Sequence, residues 1–279
     1  MNHRSFRIMI GLISVVILIT VLVESRVRAD GVIELTAGAY TEDFNTLISS
    51  GTSTSASFPP GWTFEEMGGV SNMYYSASAG ETDESDTYSY GANGSPERAL
   101  GGLGNMGLVP NFGVQFANET GQEIGYLTVT YWCEQWRLSA TERVDRLDFE
   151  YSMDAFNLAS GHWTSFDALD CHGSESTGTV GARDGNTVRT LVSATLDLHH
   201  TPIPNHATFW LRWKEYNVSG VDDGLAIDDF RLEKQTPSAI GMEGLSARNK
   251  ALASGLTLAG FGSVCFALAW LLVYRRRTA

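Results

Sequence analysis

The sequence predicts an all-β protein: an exported β-sandwich ectodomain between an N-terminal signal peptide and one C-terminal transmembrane helix. Short runs of β-branched and aromatic residues alternate with polar residues at a period of two, which is typical of strands with one buried face. Gly, Ser, Asn and Asp separate these runs, as expected for turns between strands. Uncharged apolar segments near both ends of the chain predict the signal peptide and the membrane helix.

The N-terminal segment has the composition of a secretory signal. Arg4 and Arg7 precede an apolar run at residues 8–23, and Val27-Arg28-Ala29 follows it. This order of basic, apolar and small residues predicts a signal peptide over residues 1–29, cleaved near Ala29. An uncleaved membrane anchor is the alternative, and both interpretations predict export.

The C-terminal segment predicts a single membrane crossing. Residues 251–274 carry no charge, and a helix of this length crosses about 30 Å of hydrocarbon. Three arginines follow it and predict a cytoplasmic tail over residues 275–279. Residues 236–250 contain a proline and small residues, and they predict a stalk below an ectodomain at 30–235. The protein is therefore expected at the cell membrane, with the ectodomain outside.

Four segments of the ectodomain carry the clearest strand pattern. Repeated strands of this kind with Gly-rich turns favour a β-sandwich. The fourth segment, GLAIDDFRL at residues 224–232, is the predicted last strand. The predicted inward residues of the other three are Leu127, Val129, Tyr131 and Cys133; Leu147, Phe149, Tyr151 and Met153; and Ala207, Phe209, Leu211 and Trp213.

The ectodomain is strongly acidic. The whole chain has a formal net charge of −13, but residues 30–247 hold 10 basic and 31 acidic residues, which leaves about −21. Such a surface repels nucleic acid and anionic lipid, and it favours solubility and divalent cations. The sequence therefore predicts no nucleic-acid partner.

The three cysteines allow at most one disulfide outside the membrane. Cys265 lies in the predicted membrane helix, while Cys133 and Cys171 lie in the exported body, where a disulfide can persist. Their spacing in the sequence does not fix their distance in space, so the bonded and the free states both stay open at this point.

Several motifs resemble a family of secreted bacterial surface domains of the choice-of-anchor, PEP-CTERM-associated type. The segments EDFNTL (42–47), PPGWTF (59–64), YWCEQWRL (131–138) and DDGLAIDDF (222–230) carry the resemblance, which covers about residues 42–232. The opening DF…GW (43–62) and the closing AIDDF (226–230) also resemble the ends of MAM and related jelly-roll domains. The resemblance implies a jelly-roll sandwich whose first and last strands are neighbours. The tail departs from the pattern, because TPSAIGMEG stands where the family has Pro-Glu-Pro.

Polar side chains at the two ends of the domain form a candidate structural calcium site. Calcium prefers carboxylate and amide oxygens, and adjacent terminal strands would bring such groups together. Alternation along the last strand places Asp228 on the same, core-facing side as Phe230, where a lone carboxylate needs a cation or a partner. The alternatives are an arginine partner or exposure to solvent. The candidate ligands are Glu42, Asp43, Asn45, Asp228 and Asp229.

The motif EQWR supplies a weaker candidate for ligand binding. Trp136 could stack on a sugar ring with help from Glu134 and Arg137. Alternatively, Trp136 is a core residue and Arg137 pairs with Asp148 or Glu150 on a neighbouring strand. Trp210 is the aromatic residue that we expect to be exposed, because it alternates with Phe209 and Leu211.

The other polar motifs predict structure and not chemistry. Asp222 and Asp223 precede Gly224 and predict a turn. The sequence contains no nucleophile-elbow, zinc-protease or phosphate-loop motif, and no spacing singles out a carboxylate pair for hydrolysis. No catalytic residue is predicted.

These observations predict a membrane-anchored extracellular binding or adhesion module without catalysis. Jelly-roll sandwiches often bind carbohydrate, so a glycan or another envelope component is the expected partner, by analogy at the level of the fold. A purely structural protein of the cell envelope is the first alternative, and an extracellular hydrolase is the second.

Overall fold

The computed structural model describes residues 26–29, 31–36 and 38–235. The predicted stalk, membrane helix and basic tail, and the predicted signal peptide up to residue 25, lie outside these residues. Within the described ranges, no helix has the length and apolar character needed to cross a bilayer. The described chain starts inside the predicted signal segment, where Arg26–Val27 pairs with Ile33–Glu34.

The all-β prediction is confirmed for the described part of the chain. It contains no α-helix and two short 3-10 turns, at Ser55–Ser57 and Asp167–Leu169. The strands are β1 Arg26–Val27, β2 Ile33–Leu35, β3 Ala39–Glu42, β4 Thr52–Thr54, β5 Trp62–Phe64, β6 Tyr74–Ser78, β7 Asp86–Tyr90, β8 Ala99–Leu103, β9 Asn111–Asn118, β10 Tyr126–Leu138, β11 Arg146–Ser152, β12 Thr164–Ser165, β13 Cys171–His172, β14 Gly181–Ala182, β15 Arg189–Asp197, β16 Thr208–Glu215 and β17 Gly224–Lys234.

The strands form two sheets that pack face to face. The first sheet has the order β1-β2-β9-β16-β11-β12, with β5 on β9 and β13 on β11. The second has the order β14-β10-β17-β8-β7-β6-β4, with β15 on β10 and β3 on β17. The main apolar core lies between them, and Trp213 at its centre contacts the rings of Trp62, Phe149 and Phe230. Two facing sheets of this kind make a β-sandwich.

The predicted inward residues lie in this core, with one exception. Those of β10 and β16 are buried or pack against the core, as are Leu147, Phe149 and Tyr151 of β11. Met153 is exposed because β11 ends one residue before it.

The strand near the start of the domain pairs with the last strand. In β3, Glu42 lies opposite Phe230 of β17, and Ala39 lies opposite Glu233. β17 is hydrogen-bonded along both edges, because β10 follows one edge while β8 and β3 share the other. The neighbouring terminal strands that the resemblance implies are therefore present.

A β-bulge at Asp229 changes the phase of β17. Thr130 lies opposite Arg231 and Trp132 lies opposite Asp228, so three steps on β17 match two on β10. Asp229 takes up the extra residue with a φ of 48°. Phe230 consequently faces the core while Asp228 points to the outer side of the sheet, and the prediction that both share one face is wrong.

A disulfide joins the two sheets through the core. Cys133 of β10 is bonded to Cys171 of β13, and both residues are buried in the main core. The bond therefore links the second sheet to the edge of the first, 38 residues further along the chain.

Candidate functional site

One row of side chains on β10 runs along the outer side of the second sheet, from a partly exposed polar surface to a buried group of carboxylates. The row points away from the main core because it alternates with the inward residues of the same strand. Its first four residues are half-buried, and its last two are fully buried. We call it the outer row: Tyr126, Thr128, Thr130, Trp132, Glu134 and Trp136.

The four half-buried residues of the outer row lie on a polar surface of the sheet. Thr128 and Thr195 of β15 share a hydroxyl hydrogen bond of 2.8 Å, and Thr130 and Ser193 share one of 2.7 Å. Across β17, Arg231 lies opposite Thr130 and is exposed. The polar face comprises Tyr126, Thr128, Thr130, Trp132, Ser193, Thr195, Arg231, Glu233 and Thr41.

Two aromatic rings mark the ends of this face. Trp132 lies under the guanidinium of Arg189, whose Cζ is 4.2 Å from the ring centroid. Tyr126 stacks with His199, with centroids 6.1 Å apart and an interplanar angle of 18°. The two positions lie six residues apart on one strand, which corresponds to about 20 Å.

An open groove lies at each of two borders of the polar face. One, of about 510 Å³, is lined by Thr41, Glu42, Asp43, Asp229 and Arg231. The other, of about 540 Å³, surrounds Tyr126 and His199 and is also lined by Gln122, Pro202 and Lys234. The face thus has polar and aromatic groups on a surface that stays open to solvent.

The candidate calcium ligands do not form one site. Glu42, Asp43 and Asp229 line the first groove. Burial raises the pKa of Glu42, although its carboxylate accepts hydrogen bonds from the Phe44 N–H and the Tyr40 hydroxyl.

The other two candidate ligands lie elsewhere. The side-chain oxygen of Asn45 is engaged by the Arg98 N–H at 2.9 Å. The bulge turns Asp228 away from the groove and toward Glu97 and Glu134. The predicted meeting of the terminal strands is present, but only three of the five residues share a groove there.

The side chains proposed for ligand stacking are buried. Trp136 is 1% exposed, stacks on Tyr90 at 5.9 Å and donates its indole N–H to Glu134 at 3.0 Å. Arg137 is buried as well and donates to the Gly80 carbonyl at 3.1 Å. These two residues lack the free surface that stacking on a ligand requires.

The predicted exposure of Trp210 is also wrong, since it is only 6% exposed. The loop after β11 covers it with Ala155 and Leu158. Trp132, which the sequence reasoning passed over, is the half-buried tryptophan of the outer row.

Three carboxylates converge at the buried end of the outer row. Glu97, Glu134 and Asp228 each present a carboxylate oxygen, and these oxygens lie within 4.8 Å of one another. Burial, followed by the charge of Glu97, raises the pKa of Glu134 to about 7. Burial, followed by the charge of Glu134, raises the pKa of Asp228 to about 9. We call this group the carboxylate triad.

A second acidic cluster lies where β16 ends and β17 begins. Asp222 and Asp223, predicted as a turn, are fully buried. Asp223 accepts hydrogen bonds from the Ser139 N–H at 2.6 Å and the Gln135 amide at 2.8 Å. Arg143 lies 2.8 Å from Asp145 and 3.7 Å from Asp222, so this cluster has its own countercharge.

Glu215 is the member of this region with the most unfavourable surroundings. It is buried, and neither carboxylate oxygen has a hydrogen-bond partner among the described residues. Burial, and then the charges of Asp222, Asp145 and Asp223, raise the pKa of Glu215 well above its usual range. The proton is therefore held more tightly in the folded state than in the unfolded state.

We expect Glu215→Gln to make the protein more stable than the wild type at alkaline pH. A raised folded-state pKa means that stability present at acid pH is lost as pH rises beyond about 4.5, the unfolded value. The amide cannot ionise, so the variant escapes this loss, with an expected gain of at least about 1 kcal/mol, or 2–4 °C. Thermal unfolding at pH 5 and pH 9 measures the difference. The exposed Glu84→Gln variant is the matched control, and equal curves for Glu215→Gln and wild type at pH 9 would contradict the assignment.

Comparisons with known proteins find similarity to domains in solved structures. No protein-family profile and no curated protein matches the chain. The K3 cleaved adhesin domain of Lys-gingipain from Porphyromonas gingivalis is 15% identical, with a TM-score of 0.41 over 71% of this chain and 100% of that one. A family 11 carbohydrate-binding module from Clostridium thermocellum, in complex with a mixed-linked tetrasaccharide, is 8% identical, with a TM-score of 0.32 over 71% and 96%.

A third similar structure is the enzymatically active domain of tailspike protein 4 from bacteriophage CBA120. It is 11% identical, with a TM-score of 0.31; the match covers 63% of this chain and only 19% of that one. The fold and the geometry of the polar face define the chain as a two-sheet β-sandwich with an open, polar outer surface.

Proposed function

We propose that the protein is a membrane-anchored extracellular module, a jelly-roll β-sandwich that binds an extended glycan across its polar face without cleaving it. One observation carries the proposal: two half-buried aromatic residues, Trp132 and Tyr126, lie on one strand with hydroxyl-bearing residues between them. Arg189 packs on the Trp132 ring and His199 on the Tyr126 ring, so a sugar would stack on the ring surface that these two side chains leave exposed. The remaining features of the face are consistent with this chemistry.

The chemistry of the face matches that of a sugar chain. A pyranose ring has an apolar C–H face that packs on an aromatic ring, and hydroxyls on its edge that both donate and accept hydrogen bonds. Thr128 and Thr130 offer hydroxyls of the same dual character, and Arg231 offers several donors. Rings about 20 Å apart suit an oligomer or polymer and exceed the reach of a single sugar.

The charge of the domain narrows the class of glycan. An ectodomain with a charge of about −21 repels polyanions at long range, so uronic-acid-rich or sulfated chains are disfavoured. Neutral polysaccharides experience no such repulsion. We therefore propose neutral, extended extracellular glycans as the ligand class. We propose the helix predicted from the sequence at residues 251–274 as the membrane anchor.

We expect Trp132→Ala to weaken glycan binding about tenfold or more, because the stacking surface is lost. The full chain, purified in mild detergent, is tested against a panel of insoluble and soluble neutral polysaccharides by co-sedimentation and calorimetry. Phe156→Ala is the control, since Phe156 is 79% exposed on the loop after β11, away from the polar face. Far-ultraviolet circular dichroism confirms that each variant is folded.

Three outcomes of this experiment would contradict the proposal. Binding that is equal in wild type, Trp132→Ala and Tyr126→Ala would place the ligand elsewhere. Failure of the wild type to bind any neutral glycan would favour a structural role in the envelope. New reducing ends in the bound polysaccharide would show hydrolysis, and the non-catalytic assignment would then be wrong.

A further inference from the structure

We propose that Glu97, Glu134 and Asp228 bind one calcium ion at the buried end of the outer row. This inference is independent of glycan binding, because it stands on the geometry of three carboxylates and on their unsatisfied oxygens. It also differs from the site predicted at the terminal strands, since two of its three residues come from other parts of the chain.

Strand pairing brings the three residues together. On β10, Glu134 lies opposite Ala226, and Trp132 lies opposite Asp228, so Glu134 and Asp228 are diagonal neighbours on the outer side of the sheet. Glu97 lies two residues before β8, which pairs with β17 from the other edge. The bulge at Asp229 is what keeps Asp228 on this side while Phe230 enters the core.

The spacing of the carboxylates fits one calcium ion. Calcium–oxygen distances are about 2.3–2.6 Å, so two ligands on opposite sides of one ion lie at most about 5 Å apart. The three candidate oxygens lie within 4.8 Å of one another. Calcium usually takes six to eight oxygens, and water and backbone carbonyls commonly complete its shell.

Each member of the triad has a carboxylate oxygen that receives no hydrogen bond from the described residues. The atoms are Oε1 of Glu97, Oε1 of Glu134 and Oδ1 of Asp228. Glu134 is 0% exposed and Asp228 is 5% exposed, so solvent does not hydrate these carboxylates freely. A buried carboxylate without a partner is strongly unfavourable, and a cation is the partner that three of them share most effectively.

The second oxygens of two members are held in place by donors. The Asn186 amide donates to Oε2 of Glu97 at 2.7 Å, and the Trp136 indole donates to Oε2 of Glu134 at 3.0 Å. These bonds orient the two carboxylates while Oε1 of each receives no hydrogen bond, although Oε1 of Glu134 also lies 3.7 Å from the Arg189 guanidinium. Hydrogen bonds that orient the ligand side chains in this way are typical of metal sites in proteins.

The balance of charges around the triad favours a divalent cation. Arg189 lies 3.7 Å from Glu134, and its guanidinium is also engaged over the ring of Trp132. The nearby Arg98 turns its guanidinium away and donates to Ser89 at 2.9 Å. Three carboxylates against one partly exposed arginine make the site negative once all three are ionised.

Calcium addition to the full chain, stripped of metal with EDTA, tests the proposal. We expect one calcium ion to bind in calorimetry and to raise the melting temperature by about 5–10 °C at a hundredfold excess over Kd. Terbium should occupy the same site and luminesce when tryptophan is excited, because Trp136 is bonded to the ligand Glu134.

Matched variants locate the ion. Glu134→Gln and Asp228→Asn keep the size of the side chain and should weaken calcium binding at least tenfold and quench the terbium signal. Glu97→Gln, at a half-buried position, gives the same test should either buried variant fail to fold. Asp43→Asn in the open groove should bind calcium like the wild type.

Two results would overturn the proposal. An unchanged melting temperature and no terbium luminescence in the wild type would mean that the triad is held by protons alone. Calcium binding that is lost in Asp43→Asn but kept in Glu134→Gln and Asp228→Asn would place the ion in the groove between the terminal strands.

Discussion

Reduction of the Cys133–Cys171 disulfide is expected to lower the free energy of unfolding by about 4 kcal/mol and the melting temperature by about 10 °C. The bond closes a loop across a sequence separation of 38, and it ties β10 of one sheet to β13 of the other. Without it, the unfolded chain regains conformational entropy that the closed loop denies it. The short strand β13, with two residues, has little other pairing to hold it on β11.

Thermal and urea unfolding of the full chain with and without reductant measure this effect. The double variant Cys133→Ala/Cys171→Ala should match the reduced wild type and should not respond to reductant. Because Cys265 is retained in both proteins, it serves as an internal control for the third thiol. Identical melting temperatures for oxidised and reduced wild type would show that the bond adds nothing to stability.

Replacement of Trp136 is expected to have the second large effect, a loss of about 3–5 kcal/mol for Trp136→Ala. The indole fills the space between Tyr90 and Gly185 and donates its N–H to Glu134. The alanine variant opens a cavity and also removes the donor. Trp136→Phe keeps an aromatic six-membered ring but removes the donor and part of the indole volume, so we expect a smaller loss of about 1–3 kcal/mol.

Urea unfolding of the two variants measures how the loss of stability grows with the size of the cavity, because both variants lack the indole donor. Trp132→Ala is the matched control, because Trp132 lies on the same outer row but is only half-buried. It should cost less stability than Trp136→Ala while affecting glycan binding more. The reverse order of stability would mean that the buried end of the row is not packed as described.

The sequence allowed much of the fold to be predicted, because most strands keep strict alternation. In β16, Phe209, Leu211 and Trp213 alternate with residues that point away from the core, and the structure follows this pattern along the whole strand. The pattern is reliable there because one face of the strand contacts a continuous apolar core, so any other register would bury charge and expose aromatic surface.

The phase of β17 could not be predicted in the same way. A bulge inserts one residue into the alternation, and Asp229 adopts its positive φ without a glycine to signal it. Every inference about which face Asp228 occupies depended on this one residue. The adjacency of β3 and β17 was anticipated, whereas the side-chain directions next to the bulge were not.

The carboxylate triad lay beyond sequence reasoning for a different reason. Glu97, Glu134 and Asp228 are separated by 37 and 94 residues, and only the pairing of three strands brings them together. For Trp210, the covering loop with Leu158 comes from another part of the chain, so alternation alone suggested exposure. Burial caused by distant segments leaves no local signal in the sequence.

The two-sided pairing of β17 has a mechanical consequence. Hydrogen bonds of an antiparallel ladder are perpendicular to the strands, so a pull along β17 from its Lys234 end strains many of them at once. The ladder with β10 and the ladders with β8 and β3 must then slide together and cannot peel open one bond at a time. A force applied at the Lys234 end, while the polar face is bound to a polymer, would therefore have to break many hydrogen bonds at once. The domain would resist mechanical unfolding in flow.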